Sequence, residues 1–230
     1  MNIGLRRQVG SALVIAAVVL ALIAALAGLW FGMQHLGSGQ GSVVGPGIQL
    51  KVGTALPRAK PLASFVLVDQ DGREMTEQGL RGRWTFAAIG YTTCPDVCPM
   101  TMATFVALNR EIGALDTAQV PQFLFISVDP QRDTPERIGQ YVRHFDPDFL
   151  GATGTDAALG ALVRDLGGLY ARAEAPDSAL GYTMDHSASI YMIDPEARLA
   201  AIFSTPHDPA MMAQDYVALA GGAAPSSRSQ

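Results

Sequence analysis

Uncharged and mostly apolar positions run without a break from Ser11 to Met33, a stretch reading SALVIAAVVLALIAALAGLWFGM that contains no proline. Wound as a helix at about 1.5 Å per residue it reaches about 34 Å, enough for a hydrocarbon core of roughly 30 Å, so the pattern predicts a transmembrane anchor over residues 11–33. Trp30 and Phe31 fall where an interfacial aromatic belt would lie. Residues 34–55 lose all periodicity and fill with Gly and Ser, as in HLGSGQGSVVGPG. Such a segment predicts a flexible tether with a mean span of roughly 25 Å, which lets a domain reach another protein in the same membrane.

Over residues 56–222 short continuous apolar runs, the mark of buried strands, alternate with runs of helical spacing. Strands are expected at Phe65–Val68, before a turn at Asp69-Gln70-Asp71-Gly72, at Trp84–Tyr91 and at Gln122–Val128. A hairpin is expected from Ser189–Ile193 and Leu199–Phe203 around Asp194-Pro195-Glu196. Helices are expected at Thr101–Ile112, at Asp156–Leu166 ending on Gly167-Gly168, and at Pro209–Ala220. Another opens at Thr134-Pro135-Glu136, with Thr as N-cap and Pro at the first helical position, and runs to about Phe145. Residues 223–230 are polar and are expected to be a disordered tail. The sum is an α/β domain, a central sheet flanked by helices, behind an N-terminal transmembrane helix.

Charge sets the orientation. Arg6 and Arg7 precede the apolar stretch and no Lys or Arg follows until Lys51, so the positive-inside rule puts residues 1–10 in the cytoplasm and the globular part outside it. In a bacterium this describes a single-pass inner-membrane protein with its domain in the periplasm. A cleaved signal peptide is the alternative, although its apolar core is usually shorter, and it exports the domain equally. The net charge of -5 comes with no basic block, which excludes nucleic acid as an expected partner.

The chain has two cysteines, too few for a disulfide scaffold, and both lie in Gly90-Tyr91-Thr92-Thr93-Cys94-Pro95-Asp96-Val97-Cys98-Pro99-Met100-Thr101. They follow the carboxyl end of the expected strand Trp84–Tyr91, where sites of such sheets gather. A spacing of four suggests one helical face, but Pro99 inside a helix would clash with the carbonyl of Pro95. Pro99 is therefore expected as the first helical residue, with Cys98 at the N-cap and Cys94 in the preceding loop. The helix N-terminus would then favour a thiolate at Cys98. Three residues between the cysteines leave two chemistries open, a soft metal such as Cu(I) or a disulfide.

Four histidines are present. His35 is expected at the membrane interface, His144 in solvent, and His207 in a loop ahead of the last helix. His186, in Tyr182-Thr183-Met184-Asp185-His186-Ser187, is expected in a loop able to face the cysteines. Among the methionines, Met102 and Met192 are expected in the core, while Met100 and Met184 would line the site's mouth.

Three segments in this order, GYTTCPDVCPMT, SVDPQRDTPE (Ser127 to Glu136) and DHSASIYMIDP (Asp185 to Pro195), resemble the Sco/SenC family. The resemblance implies a thioredoxin-like fold and one copper ion, Cu(I) and/or Cu(II), held by Cys94, Cys98 and His186. It implies a role in assembling the binuclear copper centre of cytochrome c oxidase subunit II, as copper donor, as thiol-disulfide reductase of the target cysteines, or as both. Another periplasmic copper chaperone is a possible further partner. Asp129 and Asp133, in the second segment, are read either as supports of the site or partner-facing groups, or as plain turn and helix-cap carboxylates. Two departures stand out: Thr93 replaces a histidine common in the family, and Ala197 a hairpin glycine. Beside the chaperone, a thiol-disulfide oxidoreductase would need only the cysteines, and a peroxidase only one reactive thiol.

Overall fold

A computed structural model of the chain describes residues 20–21, 43–44, 48–115, 117, 119–175 and 181–222. The expected anchor (apart from Leu20 and Ala21), the segment 1–10 expected in the cytoplasm, most of the expected tether and the expected tail 223–230 lie outside the described residues. Among the described residues no helix is long and apolar enough to cross a membrane.

Two short strands, β1 (Val43–Val44) and β2 (Ile48–Gln49), pair with each other. The main sheet contains β3 (Thr54–Pro61), β4 (Leu67–Asp69), β5 (Glu74–Met75), β6 (Thr85–Gly90), β7 (Gln122–Ser127), β8 (Leu150–Thr153), β11 (Ile190–Ile193) and β12 (Arg198–Phe203). A separate hairpin pairs β9 (Tyr170–Glu174) with β10 (Tyr182–His186). The main sheet runs β3-β12-β11-β6-β7-β8-β4-β5. Its centre is parallel, with β6 on β7 and β7 on β8, and its flanks are antiparallel.

Every residue of β6, β7 and β11 is buried, so both faces of the central sheet are covered. Four helices do the covering: α1 (Val97–Gly113), α2 (Pro135–Phe145), α3 (Asp156–Asp165) and α4 (Pro209–Gly222). Phe86 and Phe123 stack across the β6–β7 pair at 5.6 Å, and Phe105 of α1 and Phe149 close on Phe123 at 5.1 and 5.0 Å. This aromatic cluster holds α1 against the strands that lead to the cysteines.

The local chemistry explains where elements start. Thr134 caps α2 by accepting the Arg137 N–H, with Pro135 behind it, as the sequence predicts. In the β11–β12 turn Asp194 accepts the N–H groups of Glu196 and Arg198 at 3.0 and 2.9 Å, and Ala197 adopts φ 60°, the left-handed conformation a glycine would take more cheaply.

Some boundaries move. The strand expected at Phe65–Val68 lies at Leu67–Asp69, and β3, β8, β9 and β10 are additional elements without strong apolar runs of their own. The fold also begins ahead of residue 56. β3 starts at Thr54, and the carboxylate of Asp215 in α4, 1% exposed, accepts the backbone N–H groups of Lys51, Val52 and Gly53 at 2.6, 3.0 and 2.8 Å. The last part of the expected tether is thereby fixed to the domain. Asp215→Ala strands these amides, and is expected to cost about 2–3 kcal/mol in urea unfolding.

Candidate metal centre

The chain leaves β6 at Gly90, forms a tight loop and enters α1 at Val97, with Asp96 in the cap position. Cys98 is thus the second helical residue and Pro99 the third, two positions deeper than expected for each. Proline is tolerated there because first-turn N–H groups have no intrahelical partner, and the chain at Pro95 is not yet helical, so the anticipated clash is absent. Gly90 makes the room: a Cβ on it would stand 2.6 Å from Cys98 Sγ and 2.7 Å from the Phe125 ring.

The two thiols differ, in the opposite sense to the sequence expectation. Cys98 is buried at 1% exposure, and burial pushes its thiol far above the ordinary value; the charges of Cys94 and Asp133 push the same way, against a backbone hydrogen bond from Tyr91. Cys94 is only partly buried. Burial raises its thiol too, but hydrogen bonds from the backbone of Asp96 and Cys98, the Cys98 thiol and Tyr91 more than offset this, and its pKa falls below the usual range. The Cys98 N–H points at Cys94 Sγ, 3.4 Å away. The helix N-terminus therefore favours a thiolate at Cys94, and burial overrides it at Cys98.

Asp133 and Asp129 support the site from within. Asp133, fully buried, accepts the Thr92 N–H (2.8 Å), the Thr92 hydroxyl (2.6 Å) and the Ser127 hydroxyl (2.5 Å), tying the cysteine loop to the end of β7. Asp129, 2% exposed, accepts the Tyr182 hydroxyl at 2.8 Å and pairs with Arg132. Arg132 donates to the Tyr182 carbonyl at 3.0 Å and lies 3.7 Å from the centre of the Tyr182 ring. Neither carboxylate is a mere turn or cap group, and neither faces outward.

That second network fixes the strand carrying the third donor. His186 is the last residue of β10, a strand end where a loop was expected, opposite Tyr170 of β9. Its Nδ1 lies 3.1 Å from the Ser187 carbonyl, which can only accept, so Nδ1 carries the proton and Nε2 keeps a lone pair. Nε2 sits 3.3 Å from Cys98 Sγ. Burial lowers the His186 pKa against the opposing pull of the Ser187 carbonyl and Asp185, so the ring is neutral at pH 7. The Tyr91 ring meets it edge-on at 5.9 Å.

The ligand atoms of Cys94, Cys98 and His186 all lie within 4.8 Å of one another. Two sulfurs and one imidazole suit a soft ion such as copper, whereas structural zinc takes four ligands. Met102 and Met192 are in the core. Met100 stands exposed on α1, whereas Met184 is buried, lining a small hollow with Asp129 and Tyr182. His144 is exposed, and His35 is outside the described residues. Thr92, Arg132 and Tyr182 are site residues the sequence reading did not single out. The first two lie inside the recognised segments and Tyr182 four residues before His186, but nothing in their types announces a role.

The fold and site together define a thioredoxin-like domain with a candidate Cys-Cys-His metal centre. The SCO1/SenC family profile matches residues 54–221, and the chain belongs to that family. It is 34% identical over 164 residues to the protein SCO1 homolog 1, mitochondrial, of Arabidopsis thaliana, a match covering 70% of this chain and 47% of that one, about half its length. Similar solved structures include Arabidopsis thaliana ScoI with copper bound (TM-score 0.65, 31% identity, covering 69% of this chain and 98% of that one). Bradyrhizobium japonicum ScoI with copper bound is similar as well (TM-score 0.59, 34% identity, 67% and 96%).

The asymmetry of the thiols is directly measurable. In the metal-free reduced protein, alkylation monitored by mass spectrometry should modify Cys94 well before Cys98 at pH 7. Because the Cys94 pKa is lowered, its rate should half-rise below the free-cysteine value of about 8.5. Equal rates would contradict the burial argument.

Proposed function

We propose that this protein is a membrane-anchored, periplasmic copper chaperone. It holds one copper ion through Cys94, Cys98 and His186 and delivers it to the binuclear copper centre of cytochrome c oxidase subunit II. The observation that carries the reading is the convergence of two sulfurs and an unprotonated imidazole nitrogen within 4.8 Å. Family membership and the copper-bound relatives support copper as the ion. The anchor at 11–33, the arginines before it and the tether support delivery beside a membrane-bound target. Another periplasmic copper chaperone would be a fitting donor.

The site's electrostatics suit a carrier. Cys98 is costly to ionise alone, so the empty site keeps its proton, and copper displaces it on binding. Partly exposed Cys94 is the sulfur an acceptor reaches first.

A second reading is favoured by the lowered pKa of Cys94: reduction of the target's disulfide. The Cys94 thiolate attacks it and frees one target thiolate. Cys98 then loses its proton, closes the Cys94–Cys98 disulfide and frees the second, so two electrons pass to the target. His186 has no part in this route.

The test is copper transfer to an apo copper-centre domain of subunit II, followed by its absorption. His186→Ala should weaken copper binding at least about tenfold and depress transfer while leaving disulfide reduction active. Unchanged binding and transfer would remove His186 from the site.

A further inference from the structure

Two hollows flank the metal centre. One, of about 500 Å³, has His186 in its wall. The other, of about 610 Å³, is lined by Val97, Met100, Thr101 and Thr104 of α1 and by Pro206 and His207 of the segment after β12. Ser187 lines the first and Ala188 the second, so one short segment following His186 borders both hollows.

The second hollow contains two soft-metal donors that the centre does not use. Met100 is 65% exposed, whereas Met102, Met192 and Met212 are each at 0%. It stands in the first turns of α1, two residues after Cys98. His207 is half-buried, and its Nε2 lies 3.2 Å from the Phe203 carbonyl. That carbonyl only accepts, so Nε2 carries the proton and Nδ1 keeps its lone pair. His186 is prepared by the same device with the nitrogens exchanged, an arrangement typical of metal-binding histidines. Burial also keeps His207 neutral, lowering its pKa against the opposing pull of the Phe203 carbonyl.

We infer that Met100 and His207 form a second, weaker Cu(I) site, a staging position through which the ion passes on its way to and from Cys98. The inference rests on the copper reading above. A thioether and a neutral imidazole suit Cu(I), and binding them releases no proton, so the site holds the ion without the thiolate charge that strengthens the main centre. Inward transfer breaks the Cu–S bond to Met100 and the Cu–N bond to His207 as bonds to the cysteine sulfurs and His186 Nε2 form. Any proton still on the cysteine sulfurs, that of Cys98 above all, passes to water, and the ion remains Cu(I), so no electron moves.

The experiment titrates the reduced full chain in detergent with Cu(I), following the Met100 methyl and His207 ring resonances, with a chelator competition for affinity. The first equivalent should go to the cysteines and His186. The second should move both the Met100 methyl and the His207 ring, with an affinity lowered roughly tenfold or more by Met100→Leu or His207→Ala. Met100→Leu conserves volume, which separates ligation from packing. As a second arm, the Cys94→Ser, Cys98→Ser, His186→Ala chain should still bind one weak equivalent at the same two residues. A second equivalent that leaves both resonances in place, or that binds Met100→Leu as tightly, overturns the staging site. Failure of the first equivalent to bind the cysteines would instead overturn the copper reading itself.

Discussion

The carboxylate of Asp133 is the constraint on which the site depends. It is buried where β7 ends and holds, through Thr92, the loop that has just left β6. The neighbouring Asp129 reaches the other way, through Tyr182 and Arg132, to the strand carrying His186. Three residues of one loop, Asp129, Arg132 and Asp133, thus set the cysteines and the histidine against each other, though these donors lie 88 positions apart between Cys98 and His186. Buried carboxylates are costly unless fully hydrogen-bonded, and here the bonds that satisfy them are the bonds that align the ligands.

The same loop and helix start make the cysteines unequal. Cys94 lies outside the helix, where backbone N–H groups point at its sulfur; Cys98 lies inside the first turn, under the space left by Gly90. One thiol is only partly buried and has a lowered pKa, the other is enclosed and reluctant to ionise. Such a pair fits the copper transfer proposed above: the enclosed sulfur with its imidazole neighbour suits retention, and the partly buried one suits access by an acceptor.

Much of the fold was legible because β6, β7 and β11 are buried on both faces and so read as unbroken apolar runs, and because Thr134-Pro135 marks a helix start by its own chemistry. The strands β8, β9 and β10 were not legible. Leu150–Thr153 is four residues with two small ones, and Tyr170–Glu174 is mostly exposed, so neither has a pattern apart from its partners. The three candidate donors, which the fold brings together, were legible from the segments that carry them. The ordering of the two thiols was not, because local reasoning from the helix N-terminus misses the burial that Phe125 and Gly90 impose on Cys98. Asp129 and Asp133 were visible as candidates, but their direction, inward to Tyr182 and Thr92, depends on contacts across 53 and 41 positions.

The copper transfer proposed for the site requires that Cys94, Cys98 and His186 together hold one copper ion. X-ray absorption at the copper edge of the reduced, singly loaded chain tests it most directly. A first shell of two sulfurs and one imidazole nitrogen is expected, with the nitrogen lost in His186→Ala. A shell with fewer than two sulfurs, or a nitrogen signal that survives that substitution, would contradict it.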